Sequence, residues 1–380
     1  MKKTILSILF ATTAASFASE LPKVLPIGSD LPAFSLPGID GKQHSEKDYA
    51  DAKLLCIVFT CNHCPNSVAA AARIEAINKD YKEKGVAIVA VDANNAASLR
   101  PDELGYSPYG DSFEEMKPFA ESHGWTIPYL YDGEKQAFAT ACGAQSTPHV
   151  FVFDAERKLR YTGRMDDAGR SKDPVEKSFL RDAFDSLLSG KEIAEPVTRS
   201  FGCSTKWRSK GDSVAEEQKA WEEKLVTLGD LDEKLAKTLR ENKSGNVRVI
   251  NFWSTTCGPC VAEFPMLVET YRRFQNRNVD FISISMDPAE DKAKVQKFLQ
   301  SRQAALSDRT KPSMDKEGRT TNNYIWTGGN PDKLAEAIAP DWTGALPLTI
   351  IISTDGKILW SHSNEASAVE LRSEILKGLD

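Results

Sequence analysis

The chain has 380 residues, 41% hydrophobic and 27% charged, with 23 glycines and 19 prolines. That composition supports ordinary cores in about two domains and excludes a collagen-like, linker-dominated or broadly disordered chain. The formal charge of −6 arises from acidic and basic residues mixed throughout, which leaves no footprint for a nucleic-acid partner. Seven cysteines are too few for a disulfide-stapled mini-protein, yet their spacing is uneven and therefore informative.

Met1-Lys2-Lys3, the apolar run from Thr4 to Phe17 and the small residues of Ser16-Phe17-Ala18 read as a secretory signal peptide over residues 1–18, cleaved after Ala18. The run is shorter than the ~20 residues a spanning helix requires. No cysteine follows it to carry a lipid anchor, and no later stretch is long and apolar enough to span a bilayer. The expectation is a protein without stable membrane insertion, exported to a periplasmic or extracellular compartment where disulfide chemistry is permitted. Removal of Lys2 and Lys3 moves the formal charge to −8.

Further along, Leu54 to Thr60 is an apolar, β-branched-rich run with strand character, followed by Cys61-Asn62-His63-Cys64 and a helix-like stretch from Ser67 to Lys84. A second strand, Val86 to Asp92, ends in an acidic residue. Pro101, Gly105, Pro108 and Gly110 mark Ser98 to Ser112 as an inserted surface loop. Thr147-Pro148 heads the apolar run Val150 to Phe153. Between residues 208 and 245, Trp221, Leu225, Leu228, Leu231, Leu235 and Leu239 recur at three- and four-residue steps, which reads as helices packed on the domain that follows. The same plan then returns: strand Val247 to Trp253, Cys257-Gly258-Pro259-Cys260, helix Val261 to Asn276, strand Val279 to Asp287, and Leu346-Pro347 before Leu348 to Ile352. The first cysteine precedes the acidic strand end by 31 residues in one copy and 30 in the other, and the late proline by 87 and 90. Agreement at three landmarks indicates an internal duplication of one α/β fold, a mixed central sheet flanked by helices.

Strand, Cys-x-x-Cys at a helix start and a proline heading a strand some ninety residues later resemble the thioredoxin fold, twice. Asn251-Phe252-Trp253 leading into Cys257-Gly258-Pro259-Cys260 and Glu263-Phe264-Pro265 resembles the TlpA/ResA-like exported thiol-disulfide reductases. Phe59-Thr60-Cys61-Asn62-His63-Cys64-Pro65 is similar to redoxin domains of the peroxiredoxin-like AhpC/TSA branch, and Gly202-Cys203-Ser204-Thr205-Lys206-Trp207 looks like the tail that closes such domains. The resemblance implies a redoxin-type domain over residues 20–207, a linker or helical connection over 208–224 and a TlpA-like thioredoxin domain over 225–380. It also implies that Pro148 and Pro347 are the cis-prolines facing the cysteines, so that Thr147-Pro148 and Leu346-Pro347 form the substrate grooves. Glu263 falls where the TlpA/ResA-like group carries an active-site glutamate, suited to moving a proton between Cys260 and solvent. Two departures stand out: Asn251 occupies the place of thioredoxin's buried acid, and Thr256 replaces the usual tryptophan.

A thiolate is the attacking species in disulfide exchange. A helix N-terminus offers it unpaired N–H donors and the positive end of the helix dipole. Lowering a thiol pKa from about 8.5 to about 7 takes about 2 kcal/mol, within reach of such a site. On this reading Cys61 and Cys257 are the nucleophiles and Cys64 and Cys260 the resolving thiols. His63 stabilises the first thiolate, which makes the first site the more oxidising of the two. Zinc is the competing use of a Cys-x-x-Cys pair, but zinc pairs sit in knuckles with a second pair nearby, whereas here each pair opens a helix. No metal and no cofactor are expected. A thioredoxin-fold copper chaperone and a thiol peroxidase are the alternative functions. The peroxidatic pattern Pro-x-x-x-Thr/Ser-x-x-Cys is absent: Val58 and Leu54 stand at its places before Cys61, and Cys61 and Ile57 before Cys64. Cys56 reads as a buried small hydrophobe and His149 as an ordinary strand histidine. Cys142 and Cys203 remain open between mutual pairing, resolving another sulfur and staying free. The partners expected are protein thiols and disulfides. A membrane-embedded electron donor suits an exported reductant, although no residue identifies one.

Overall fold

The structure, a computed structural model, describes residues 21–171 and 174–379; the signal-peptide reading of residues 1–18 lies outside them. The first half opens with the hairpin β1 (Ser35–Pro37) and β2 (Gln43–Ser45), then β3 (Leu54–Thr60), α1 (Pro65–Tyr81), β4 (Val86–Asp92), α2 (Phe113–Ser122), β5 (Tyr129–Tyr131), α3 (Ala137–Cys142), β6 (Ser146–Thr147), β7 (His149–Phe153), β8 (Leu159–Gly163), α4 (Phe179–Leu188) and β9 (Cys203–Ser204). Its five-stranded sheet runs β5-β4-β3-β7-β8, with β3, β4 and β5 parallel and β7 and β8 antiparallel. Every residue of β3 is buried, as a continuous apolar run at a sheet centre covered on both faces should be. Cys56 and Val58 pack with α1 and α4 on one face, while Leu55, Ile57 and Phe59 pack with Phe138 and Phe151 on the other.

The second half contains α5 (Gly211–Glu222), β10 (Gly229–Leu231), α6 (Glu233–Glu241), β11 (Val247–Trp253), α7 (Gly258–Phe274), β12 (Val279–Ser285), α8 (Lys292–Ser301), α9 (Lys311–Asp315), β13 (Asn323–Trp326), α10 (Pro331–Ile338), β14 (Leu348–Ile352), β15 (Ile358–Ser363) and α11 (Ala368–Leu379). Its sheet runs β10-β13-β12-β11-β14-β15, repeating the first sheet's parallel core and antiparallel hairpin. The duplication expected from the landmarks is therefore present as two thioredoxin-like mixed sheets. Both X–Pro bonds singled out, Thr147-Pro148 and Leu346-Pro347, are cis.

Two expectations need correction. The leucine steps after residue 208 do not mark helices alone, because Gly229–Leu231 is the edge strand β10 and Leu225 lies on the surface, 80% exposed. A four-residue step persists from Leu231 through Leu235 to Leu239, and there it does pack on the second sheet, in part through α6. Nor is Ser98–Ser112 a surface loop: Ser98, Asp102, Ser107, Tyr109 and Asp111 are buried. Its polar residues are buried because they are hydrogen-bonded. Part of it docks on the second half, where Arg277 Nη1 donates to the Gly105 carbonyl (2.6 Å), Asn276 Nδ2 to Asp102 Oδ2 (2.6 Å) and Arg372 Nη1 to the Pro108 carbonyl (3.3 Å).

Gly105 makes this contact because it lacks a side chain: a Cβ there would lie 2.5 Å from the Arg273 carbonyl oxygen. Gly105→Ala should therefore pry the segment off α7. The expected outcome is several-fold faster proteolysis around α5 in limited digestion, with no change in the secondary structure of either half.

Candidate active sites

The two cysteine pairs enter their helices differently. In the second half the helix begins at Gly258, so Cys257 is its N-cap and Cys260 lies within its first turn. In the first half Cys61 to Cys64 form an irregular turn and the helix begins only at Pro65, a residue suited to a first helical position because it has no N–H to leave unpaired. Cys64, with extended backbone (φ −66°, ψ 126°), is therefore the N-cap there. The expectation that Cys61 occupies the helix N-terminus is corrected, because the proline fixes the helix start one residue after Cys64.

The cis bond before Pro148 turns Thr147 onto both sulfurs of the first pair. Cys61 Sγ lies 3.3 Å from Thr147 Oγ1 and 3.8 Å from Ser67 Oγ, and Cys64 Sγ lies 3.2 Å from the Thr147 carbonyl. The turn itself is held from the segment that was read as a surface loop. Asp111 Oδ1 accepts from the backbone N–H of Asn62 (2.9 Å) and of His63 (3.1 Å), and Oδ2 meets His63 Nδ1 at 2.5 Å and Asn94 Nδ2 at 2.8 Å. Asn62 Nδ2 donates to the Gly110 carbonyl (2.8 Å), and Tyr129 donates its hydroxyl to Asn62 Oδ1 (2.9 Å).

Electrostatics assign the two thiols opposite characters. Burial pushes Cys61 well above the ordinary thiol value, and its hydrogen bond to Cys64 together with the charges of Asp111, Cys64 and Asp92 pushes it further. Burial also opposes ionisation of Cys64, as does the Thr147 carbonyl, which can accept only from the thiol. Hydrogen bonds from Cys203, from Cys61 and from the Ser67 backbone, with the nearby His63 charge, outweigh that opposition and hold Cys64 below the ordinary value. Burial works against a charged His63, but the Asp111 carboxyl in contact with its ring raises it nonetheless. Asp92, at the end of β4, is pushed well up by burial and by Asp111. All four residues from Cys61 to Cys64 are buried.

Cys203 joins this group from the closing tail. β9 pairs with β6 in antiparallel register, Cys203 opposite Thr147, and the Cys203 thiol hydrogen-bonds Cys64. Gly202 permits the approach: a Cβ there would lie 1.9 Å from the Thr147 carbonyl. The tail is fixed by Lys206 N donating to Asn94 Oδ1 (2.8 Å), Thr205 N to the Gln145 carbonyl (3.1 Å) and Lys206 Nζ to Glu103 (2.5 Å). Cys142 is instead buried in the apolar cluster of Phe138 and Phe151, so the open question about these two thiols resolves towards Cys203 and Cys64, not Cys203 and Cys142. Cys56 is buried as expected. His149 is buried and neutral, pushed down to about 4 by burial, with Nδ1 accepting from Gln145 N and Nε2 facing Thr162 Oγ1.

In the second site Cys257 and Cys260 form a disulfide, with Cys257 half-buried and Cys260 buried. Here the strand-end acid does the holding: Asp287 accepts from Thr255 N (2.9 Å), Ser254 Oγ (3.2 Å), Ser285 Oγ (2.7 Å) and the Thr255 hydroxyl. Burial opposes its charge, but these donors keep it below the ordinary carboxylate value. Leu346, before the cis-Pro347, packs into the same apolar cluster as Cys257 and Cys260. Glu263, one helical turn past Cys260, is buried and raised to about 7 by burial, against hydrogen bonds from Asn251 Nδ2 (3.0 Å) and Ala366 N (3.4 Å). The asparagine that replaces thioredoxin's buried acid thus touches a new acid supplied by the helix.

Sequence reasoning named the cysteines, His63, Glu263 and both prolines. It used Asp92 only as a landmark and passed over Asp111 and Tyr129, which reach the site from 50 and 68 positions beyond Cys61 and carry no local pattern. Cys61, His63 and Asp111 also have one ligand atom each within 4.8 Å of one another, the one such group among the described residues.

Residues 26–178 match the Redoxin family and residues 218–361 match the AhpC/TSA family. Two family-model domains, Redoxin and AhpC/TSA, thus stand in tandem, one in each half. A thiol-disulfide oxidoreductase ResA from Geobacillus thermodenitrificans (strain NG80-2) is 28% identical over 171 residues, covering 43% of this chain and 87% of that protein. ResA from Bacillus subtilis (strain 168) is 35% identical over 52 residues, 14% of this chain. The match spans only 28% of the length of the Bacillus subtilis protein and 22% of that from Oceanobacillus iheyensis. Among solved structures, a hypothetical protein from Sinorhizobium meliloti 1021 is 31% identical, covering 50% of this chain and 98% of that one with a TM-score of 0.44.

Two measurements check the electrostatics. Asp111→Asn removes the partner that keeps His63 charged and loosens the turn. The pH at which Cys64 ionises, followed by thiolate absorbance or by the pH profile of alkylation, should move upward. For Glu263 the folded state holds a proton up to about pH 7, while the unfolded chain releases it near the ordinary value of 4.5. Stability therefore falls as pH rises between those values. Glu263→Gln should flatten the decline in thermal midpoint across that window, and a parallel decline in variant and parent would contradict the assignment.

Proposed function

We propose that this chain is an exported thiol-disulfide oxidoreductase in which two Cys-x-x-Cys pairs exchange electrons with protein thiols and disulfides. The observation that carries this reading is the repeated arrangement: each pair stands at the start of a helix, after a buried central strand, in a domain with its own cis-proline. The second pair has the asymmetry that exchange requires, an accessible Cys257 to attack and a buried Cys260 to resolve. The ResA relatives are thiol-disulfide oxidoreductases, which supports the same chemistry here. Export rests on the reading of residues 1–18, and none of the described helices is long and apolar enough to cross a membrane.

The first site, holding its reduced form through a stabilised Cys64 thiolate, is the more oxidising. The docking of residues 98–112 on α7 gives the two halves a fixed contact, which supports a relay of electrons between them. The test is a redox titration of the full chain against glutathione, each pair read separately by alkylation and mass spectrometry. The first pair should titrate at the higher potential, by roughly 30 mV for each tenfold difference in equilibrium constant. A first pair at the lower potential, or pairs that never form disulfides, would contradict the reading. Metal delivery, the second reading, has one observation in its favour, the cluster of Cys61, His63 and Asp111. It requires the His63–Asp111 hydrogen bond to break, and metal analysis of the reduced protein decides it.

A further inference from the structure

The two sites differ in how a partner could reach them. Cys257 is half-buried, so a partner thiol can approach it directly. Cys61 and Cys64 are both fully buried, under the Thr147 turn and the Asp111 segment, and neither sulfur is open to a second protein. Cys203 is the partly exposed thiol of the first half, set opposite Thr147 and hydrogen-bonded to Cys64. Its strand is held just beyond Ser204, where Thr205 Oγ1 donates to the Ala144 carbonyl (2.9 Å) and Lys206 N to Asn94 Oδ1 (2.8 Å), and Gly202 is required for the approach.

Resting on the proposed exchange chemistry, we infer that Cys203 is the outward-facing exchange thiol of the first site and carries electrons between the buried Cys61–Cys64 pair and a partner disulfide. In the oxidising direction Cys203 passes its proton to Cys64 and attacks one sulfur of the partner disulfide. The partner's S–S bond breaks, a Cys203–partner mixed disulfide forms, and one partner thiolate leaves. Cys64, returning that proton to the leaving thiolate, attacks Cys203 Sγ, releases the second partner thiolate and leaves a Cys64–Cys203 disulfide. Cys61 then attacks Cys64 Sγ, and Cys203 departs with the Cys61 proton, restored as a thiol. The buried pair loses two electrons, the partner disulfide gains two, and one proton leaves with the partner. The reverse sequence reduces the buried pair with a partner dithiol.

A donor role alone would also explain the hydrogen bond to Cys64, and serine preserves that donor while removing the redox chemistry. The test uses the full chain, reduced and then exposed to oxidised glutathione, with Cys203→Ser, Cys203→Ala and Cys61→Ser variants. Circular dichroism checks that each is folded. Trypsin places Cys61 and Cys64 on one peptide and Cys203 on another, so a Cys64–Cys203 bond appears as a linked pair of peptides. The linked pair should appear early in the parent and accumulate in Cys61→Ser. Oxidation of the Cys61–Cys64 pair should slow about 10-fold or more in both Cys203 variants. If Cys203→Ser exchanges at the parental rate, Cys203 is a donor only and the inference falls while the oxidoreductase reading stands. Failure of Cys61→Ser to form the linked pair overturns it equally. If the parent's first pair does not oxidise at all, both readings fall for that site.

Discussion

The first candidate active site depends on one carboxyl. Asp111 binds two backbone N–H groups of the cysteine turn and the His63 ring at once. Without it the turn from Cys61 to Cys64 would have buried donors with no acceptor, each costing about 1–3 kcal/mol. With it, the charged form of His63 beside Cys64 is favoured, and the carboxylate's negative charge adds to the burial that holds Cys61 well above the ordinary thiol value. An acid from outside the strand–turn–helix unit carrying the cysteines thus adds to burial and to the Cys203 hydrogen bond in dividing the two sulfurs.

The second copy solves the same problem locally. Asp287 follows the end of β12 and receives the N–H and hydroxyl groups of the residues before Cys257. Asp92 is its counterpart by spacing, but in the first copy that acid stays behind, buried and raised, while Asp111 holds the cysteine turn. The exchange has a structural cost and a gain. A longer segment must be ordered, and that same segment becomes the surface on which the second half docks through Gly105, Asp102 and Pro108.

The strands and motifs of both copies were legible because burial on both faces writes an uninterrupted apolar run, and because proline and paired cysteines are rare enough to serve as landmarks. Leu54–Thr60 and Val247–Trp253 coincide with the strands observed. The helix start at Pro65 was readable in principle, yet the symmetry of the two motifs suggested equal placement of Cys61 and Cys257, and a single proline broke it. Asp111 was illegible, since a segment rich in proline and glycine reads as exposed until the partners that bury it are known. Arg248 was passed over for the same reason: within an apolar strand it is fully buried, held by Asp280 opposite it on β12, by Glu317 and by the Leu239 carbonyl, partners that only the fold brings to it.

Gly202 has a consequence beyond its fit. By letting β9 lie along Thr147, it uses up the backbone edge that a visiting polypeptide would otherwise extend into a sheet. The first half therefore already holds a strand of its own beside Thr147. On the proposed exchange chemistry, recognition there would come through side chains presented end-on, with selectivity set by the reach and charge of a single cysteine's neighbours, not by the sequence of an extended segment.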